Sequence, residues 1–453
     1  MVDRGRQVEA VNLWVSGTRV AHAVFGAMGA GLSPFPYALI YPQDEHERLL
    51  IDRLAGAGVR VERGTEILGV DHASDHVIAR LKQPGGAQET CEADYVAGCD
   101  GAHSAVREAL GTGFPGGTYA HLFYNADVEA RGPTTNGELH VGLDTTDFLA
   151  VFPLKADGHL RLVGTVREEA GHPHENLSWD DVSRHVIEWM RIDIAKVNWF
   201  STYRVHHRVA DHFRTGRVFL LGDAAHIHSP VGGQGMNTGI GDAVNLAWKL
   251  AAVVHGRADA SLLDSYEPER IAFARRLVET TDRAFTGVTS SGYLARFVRL
   301  TLVPVLIPLL FRSRIVRRLM FRTISQTAVN YRGSALSEGR AGNVRGGDRL
   351  PWVKADSPVD ADNFTPLTSL DWQVHVYGEA SAEIRTVCNR RNLPLHVFAW
   401  RPAMHRTGLR CNAVYLVRPD GYVALAALAD AATAIGTYFD TRKIVPTGTA
   451  RSA

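Results

Sequence analysis

The run 218–250, VFLLGDAAHIHSPVGGQGMNTGIGDAVNLAWKL, restricts the fold more than any other stretch of the chain. FLLGDAAH is an apolar strand ending at Gly222 and Asp223. A carboxylate at the C-terminal edge of a strand is placed to accept hydrogen bonds from ligand hydroxyls. SPVGGQGMNTG follows as a turn whose glycines permit close backbone approach and positive φ. From Met236, the spacing of Ile240, Val244, Ala247, Leu250 and Val254 predicts an apolar face on a helix. A glycine loop in that position sits at a helix N-terminus, with free amides aimed at any anionic or electron-rich ligand oxygen. Glycine-rich turns also arise from packing alone, so on these residues a cofactor loop and a structural turn both stand. His226 and His228, one residue apart without a nearby third ligand, read as hydrogen-bonding or site-lining groups rather than a metal site.

Around that run the pattern leaves and returns. Residues 37–110 have a mixed α/β signature: YALIYP as a strand, DEHERLLIDRLAGAGV as a helix ended by Gly56 and Gly58, and ADYVAGCDGAHSAVREALG as strand, turn, helix. From about 117 to 210 the candidates are mostly strands, with a helix at SWDDVSRHVIEWM that Ser178 can cap. The chain then looks α/β again, which implies a β-rich domain inserted into one α/β domain. Helical patterning runs from 236 to about 330. Residues 331–350, rich in glycine and charge, read as a linker. Beyond them, WQVHVYG, NLPLHVFAW and AVYLVRPDGYVALAAL predict a small separate α/β domain, with a turn at Pro419-Asp420-Gly421.

Composition removes several classes of function. Lys and Arg number 49 against 48 acidic residues, and the net charge of +1 gives no overall field for nucleic acid or an anionic surface. Cys91, Cys99, Cys388 and Cys411 contain no CxxC pair, which argues against a disulfide framework, a structural zinc or a dithiol redox site. A reducing, cytoplasmic location fits, and the N-terminus lacks the apolar core of a signal peptide. The apolar run LTLVPVLIPLLF at 300–311 lies between Arg296, Arg299, Arg312, Arg314, Arg317 and Arg318. It is shorter than the roughly 20 residues that span a bilayer and holds two prolines. No integral membrane segment is expected; a kinked buried helix or a domain interface is, with membrane-surface contact the alternative.

GDAAHIHSPVGGQGMNTGIGDAVNLAWKL resembles the second flavin motif of the class A, single-component FAD-dependent aromatic monooxygenases, in the branch of phenol, hydroxyphenylpropionate and polyketide hydroxylases. The resemblance implies that Asp223 bonds the ribityl or pyrophosphate region and that Pro230 lies beside the isoalloxazine. It also implies that amides around Gly235, Met236 and Asn237 meet the pyrimidine edge, stabilising negative charge there. CDGAHSAVREALG matches the family's DGxxSxxR run at Asp100, Gly101, Ser104 and Arg107, near the FAD and the NADPH path; on chemistry alone Arg107 could equally be structural. IYPQDEHERLL is similar to the family's segment before a flavin-contacting helix, which makes Gln43 a flavin contact.

The implied architecture is α/β with an inserted β-rich substrate domain and a C-terminal thioredoxin-like domain. Its parts are an incomplete, Rossmann-like FAD-binding domain at 1–116 and 211–285, a substrate domain at 117–210, a helical segment at 286–330, the linker at 331–350 and the thioredoxin-like domain at 351–453. The last lacks CxxC, so a structural or homodimer-related role is expected. The implied chemistry is hydroxylation of a small phenol-like aromatic or polyketide through a C4a-hydroperoxyflavin, with NAD(P)H as reductant and molecular oxygen as co-substrate. His226, His228 and Tyr203 are the available proton acceptors, and none is singled out.

Such an enzyme should open with a strand and GxGxxG. GAMGAG at 26–31 has the wrong spacing; GTGFPG at 111–116 fits the pattern but follows a helix-like segment, contains Pro115 and runs into a strand. By family comparison the chain begins late, short of on the order of 90 residues that form the first βαβ unit. Loss of a central strand would expose apolar sheet edges and weaken folding. An inactive fragment of such an enzyme and a non-catalytic interaction protein built on the C-terminal domain therefore remain as alternatives. A NAD-dependent dehydrogenase is disfavoured by the same missing opening.

Overall fold

Two strands of 16 and 17 residues, Gly116–Arg131 and Asp193–Val209, run antiparallel and form the spine of an eight-stranded sheet. The computed structural model describes residues 1–144, 148–166, 177–229, 233–289, 297–355 and 361–446. In order, the sheet comprises His226–Ile227, Asp193–Val209, Gly116–Arg131, His159–Val166, Phe148–Pro153, Leu139–Leu143, Ala10–Val15 and Thr18–Val24. Alternation sets its two faces. Leu122, Tyr124, Ala126 and Val128 point to a core shared with Leu149, Leu160, Leu162 and with Val186, Ile187 and Met190 on and beside the His185–Trp189 helix. Phe123, Asn125 and Asp127, the intervening residues, point the other way.

The last two strands come from outside 117–210. Ala10–Val15 runs parallel to Leu139–Leu143, from Val11 opposite Leu139 to Val15 opposite Leu143, so the sheet reaches into the first 24 residues. Asn12 obscures that strand in sequence: it is fully buried and its amide donates to Glu138 at 2.7 Å. GTGFPG leads, as its context suggested, into a strand: Gly116 has φ +147 and a Cβ there would overlap the His207 carbonyl.

A smaller sheet has Arg214–Thr215, Val218–Leu220 and Val96–Gly98, the last two parallel. Val218, Phe219 and Leu220 are fully buried beneath the helices Gly235–Val254 and Tyr266–Thr289. The first of these helices has the expected extent and the opposite orientation. Ile240, Val244 and Val254 are 43–57% exposed, whereas Thr238, Asp242, Asn245 and Lys249 are buried. Both stripes repeat every three to four residues, so periodicity finds the helix without saying which side is inside. Charge decides it. Glu269 accepts from Lys249 Nζ at 2.8 Å, Asn245 Nδ2 at 2.7 Å and both terminal nitrogens of Arg418 at 2.7 and 2.9 Å.

Residues 331–350, expected as a linker, contain two short strands. Glu338–Ala341 pairs parallel with Val423–Ala427, and Val344–Arg345 folds back on it. The glycines serve close approach: a Cβ on Gly339, at φ +71, would collide with the Ala426 carbonyl, and one on Gly347, at φ +88, with the Tyr331 backbone. The resulting six-stranded sheet continues through Val414–Val417, Gln373–Tyr377 and Leu395–Phe398, with Ala382–Arg390 and Ala431–Arg442 as its longer helices.

The 300–311 region departs most from expectation. Val303–Arg312 is a helix with no fully buried residue, and Arg314–Ile324 buries only Phe321, so the run is neither core nor a covered interface. No described helix is long and apolar enough to cross a membrane.

His375 lies fully buried in the C-terminal sheet, 3.0 Å from Gln373 Oε1, and burial pushes it down to about 3, with His396 adding to the shift. A histidine held neutral in the folded state contributes stability above its unfolded value near 6.5 that is lost as pH falls towards 3. Denaturant titrations across that range should show wild type losing a few kcal/mol more than His375→Gln, which has no proton to take up. Parallel curves would remove His375 as the cause.

Candidate active site

The Gly222–Ala224 turn leaves the buried 218–220 strand and lies against the start of the Gly235–Val254 helix. Gly222 has φ +57, and a Cβ on Gly239 would sit 3.2 Å from the Gly222 Cα, so turn and helix touch backbone to backbone. Asp242, one helical turn further, holds the turn down. Its Oδ2 accepts from Gly222 N at 3.0 Å and His226 Nε2 at 2.7 Å, and its Oδ1 accepts from Arg270 Nε at 2.6 Å. Burial alone would raise the Asp242 pKa; the Arg270 charge, His226 and the Gly222 amide outweigh it and hold the group below the usual carboxylate range. Arg270 also donates to Tyr331 Oη at 2.9 Å and to the Thr238 carbonyl at 3.0 Å. His226 is thereby a structural partner of Asp242.

The DGxxSxxR run is a capping device. Asp100 accepts from Ser104 Oγ at 2.6 Å and Val106 N at 3.1 Å, and Ser104 Oγ accepts from Arg107 N at 2.9 Å, closing the start of the Ala105–Ala109 helix. Arg107, buried, donates to the carbonyls of Ala224 at 3.0 Å and Ala102 at 2.8 Å and lies 3.9 Å over the Phe114 ring. It ties one turn to the other. Asp223 stands exposed between these two anchors.

Beside the helix start lies a cleft of about 400 Å³, within the usual range of small-molecule sites. One wall is the outer face of the large sheet: Phe123, Asn125, Phe148, Phe152, Arg161 and Tyr203. The opposite wall has Gly233, Met236 and Asn237, and Tyr41 and Pro42 close one side immediately before the exposed Gln43. Arg161 is spent on Asp127 through two hydrogen bonds of 2.7 and 2.8 Å. Burial pushes Tyr203 up to about 12, so it meets a ligand as a neutral phenol near pH 7. Asn125 Oδ1 is buried without a hydrogen-bond partner among the described residues.

Met236 and Asn237 thus meet in the cleft wall, with Gly235 adjoining and Gln43 at the rim, while Asp100 and Arg107 work behind the Asp223 turn. Pro230 lies outside the described residues. Asn125, Arg161, Arg270 and Tyr331 carried no motif, and Asp242 lay inside the 222–250 run without being singled out; only the two-residue alternation Phe123, Asn125, Asp127 could have marked a polar position on the site-facing side of a strand.

Local geometry fits the flavin end of FAD. The amides of Gly235, Met236 and Asn237 precede the first helical hydrogen bond, Thr238 N to Gln234 O, and no side chain caps that end. Next to them His228 Nε2 and Ser229 Oγ are buried with no partner among the described residues, and His228 Nδ1 donates to the Ser229 carbonyl at 2.8 Å, leaving Nε2 as an acceptor. Burial lowers the His228 pKa, which keeps that acceptor neutral.

Comparison with known proteins gives the class. Residues 7–281 match the FAD binding domain family. The chain is 32% identical over 412 residues to a flavin-dependent monooxygenase of Mycobacteroides abscessus, covering 88% of this chain and 77% of that protein. It is 29% identical over 485 residues to a 6-methylpretetramide 4-monooxygenase of Streptomyces rimosus, covering 100% and 85%. Among solved structures, an anhydrotetracycline hydroxylase from Streptomyces rimosus superposes with a TM-score of 0.74 at 26% identity, over 98% of this chain and 86% of that one. A cleft between a curled sheet and a glycine-loop helix is the architecture of flavin-dependent hydroxylases. The chain belongs to the FAD binding domain family, as a class A FAD-dependent monooxygenase of aromatic or polyketide substrates.

Asp242→Asn removes a buried charge from between Arg270 and His226. Urea unfolding should show a loss of about 3 kcal/mol, as for other buried pairs broken on one side. A change below about 0.5 kcal/mol would show that the Gly222 turn holds without it.

Proposed function

We propose that this chain uses NAD(P)H and FAD to hydroxylate a fused-ring phenol or polyketide, with molecular oxygen as co-substrate. The observation that carries this reading is the shared cleft: helix-start residues Met236 and Asn237 face a wall of Phe123, Phe148, Phe152 and Tyr203. Flat aromatic walls suit a flat aromatic ligand, and free amides suit an electron-rich ring edge. Bound FAD would supply the activation of oxygen by electrons from NAD(P)H, one oxygen atom entering the ring and the other leaving as water.

In this reading the amides from Gly235 to Asn237 meet the flavin pyrimidine edge, Asp223 the ribityl or pyrophosphate region, and Pro230 and Gln43 the ring. Asp100 and Arg107 serve the cofactor through the Ala224 turn they hold. Asn125 Oδ1 accepts a substrate hydroxyl, and Tyr203 donates to a substrate oxygen. The names of the relatives, a 6-methylpretetramide 4-monooxygenase among them, support a polycyclic rather than a single-ring substrate.

We further read residues 351–453 as a thioredoxin-like domain; the order strand, helix, strand, helix, strand, strand, helix from Gln373 to Arg442 supports it. A FAD-binding domain at 1–116 and 211–285, a substrate domain at 117–210 and a helical segment at 286–330 complete the proposed division, with the strands Ala10–Val15 and Thr18–Val24 of the first part completing the sheet of the substrate domain. A cytoplasmic location is supported by four cysteines that are all free thiols. Homodimer formation remains part of the proposal.

The full chain, purified and titrated with FAD, should quench flavin fluorescence; with NADH or NADPH and a polycyclic phenol it should incorporate one atom from isotopically labelled O₂. Protein that takes up no FAD overturns the proposal. Asn125→Leu should raise KM about tenfold, the worth of one substrate hydrogen bond, with kcat less affected. An unchanged KM would remove Asn125 from substrate recognition.

A further inference from the structure

The balanced net charge conceals a segregated one. Residues 283–337 contain Arg283, Arg296, Arg299, Arg312, Arg314, Arg317, Arg318, Arg322 and Arg332 and no Lys, Asp or Glu. With those nine removed, the rest of the chain has 40 Lys and Arg against 48 Asp and Glu, so a segment at +9 is set on a body at −8.

The same segment carries a run of outward-facing apolar side chains. In the Val303–Arg312 helix and the turn before it, Val298, Leu302, Val305, Leu306, Leu309 and Leu310 are 37–65% exposed. Their spacing of three and four residues places them on one side. Ile315 and Leu319, at 79% and 62%, extend the surface along the Arg314–Ile324 helix. Arg312, Arg314 and Arg322 are exposed beside them, and none of the five arginines from 312 to 322 forms an ion pair among the described residues. The pair of helices is anchored from below: Phe321 is buried with Phe25 and Met28, Phe311 packs at its edge, and a Cβ on Gly29 would strike the Phe321 ring. The apolar and basic side chains are therefore presented on a fixed platform.

We propose that this face docks on an anionic lipid surface, with the leucine and isoleucine side chains entering the interfacial layer and the arginines meeting lipid phosphates. Charge selects the occupant. A second copy placed symmetrically would set arginines against arginines. Nucleic acid would satisfy the charge and leave the apolar stripe in water. An anionic bilayer answers both, since long basic side chains keep their heads at the phosphate level while their stems lie along apolar surface. The two proline-bearing turns are too short to span, which makes the contact peripheral.

Flotation with vesicles tests this on the full chain. Phosphatidylcholine vesicles containing phosphatidylglycerol should take up the protein at least tenfold better than phosphatidylcholine alone, and added salt should release it. The double variants R314E/R322E and L309Q/L319Q, all at exposed positions, should each lose that uptake while keeping the wild-type Tm. No uptake by either vesicle overturns the proposal, as does uptake that both variants retain. If L309Q/L319Q instead converts a dimer to a monomer in analytical ultracentrifugation while wild type ignores the vesicles, the face belongs to a second copy and the proposal fails.

Discussion

Two buried carboxylates, Asp242 and Glu269, set the arrangement on which the rest of the molecule depends. Taking a carboxylate out of water costs several kcal/mol unless cations and hydrogen-bond donors surround it. Glu269 finds Lys249, Asn245, Ser334 and Arg418; Asp242 finds Arg270, His226 and the Gly222 amide. These partners come from the glycine-loop helix, the helix after it, the segment following residue 330 and the C-terminal sheet. No subset satisfies both carboxylates, so the regions assemble together. Burial pushes Lys249 down to about 8 against the pull of Glu269, whereas their neighbours hold Arg270 and Arg418 above the usual guanidinium value.

That network reaches the cleft by a short route. Asp242 fixes the Gly222 amide from the helix side, and Arg107 fixes the Ala224 carbonyl from the side of the Asp100 turn. Asp223 is held between them by backbone anchors at both neighbours, with its own side chain exposed. Arg270 and Gln326 hold the first turn of the helix through Thr238, the former on its carbonyl and the latter on its hydroxyl at 2.8 Å. A site whose amides must point at a ring edge gains from such support, because the donors need no reorganisation when charge develops.

The sequence made the element types legible and their environments much less so. The strand–turn–helix at 218–250 and the strand–turn–helix at 96–109 are where patterning put them, since a glycine turn between an apolar run and a helical repeat has few other realisations. The inward side of the 235–254 helix was hidden because Asp242, Asn245 and Lys249 become interior residues only through Glu269, Arg270 and Arg418, which lie up to 176 positions away from Asp242. Glycine and charge in 331–350 suggested a linker, where the fold uses Gly339 and Gly347 to bring backbone segments into contact. The sheet wall of the cleft was hardest to see: Asn125 and Arg161 sit on long strands whose alternation is plain, but nothing local tells which of two faces borders a cleft.

Net charge is a poor guide for the same reason. A total of +1 excludes a uniform field and is silent about a patch, because electrostatic attraction at a surface is screened beyond roughly 10 Å and responds to what lies within that distance. Arg312, Arg314 and Arg322 lie exposed on one pair of consecutive helices, whereas the compensating acidic excess is spread over the other 398 residues and partly consumed in buried pairs. The apolar side chains beside them sharpen the argument. A solvated basic helix would keep leucine and isoleucine inward, and here both types point outward together. The surface chemistry of this chain is therefore set by how its charges are sorted, and the flat wall and free amides of the cleft follow the same rule: each face collects the groups that one kind of ligand requires.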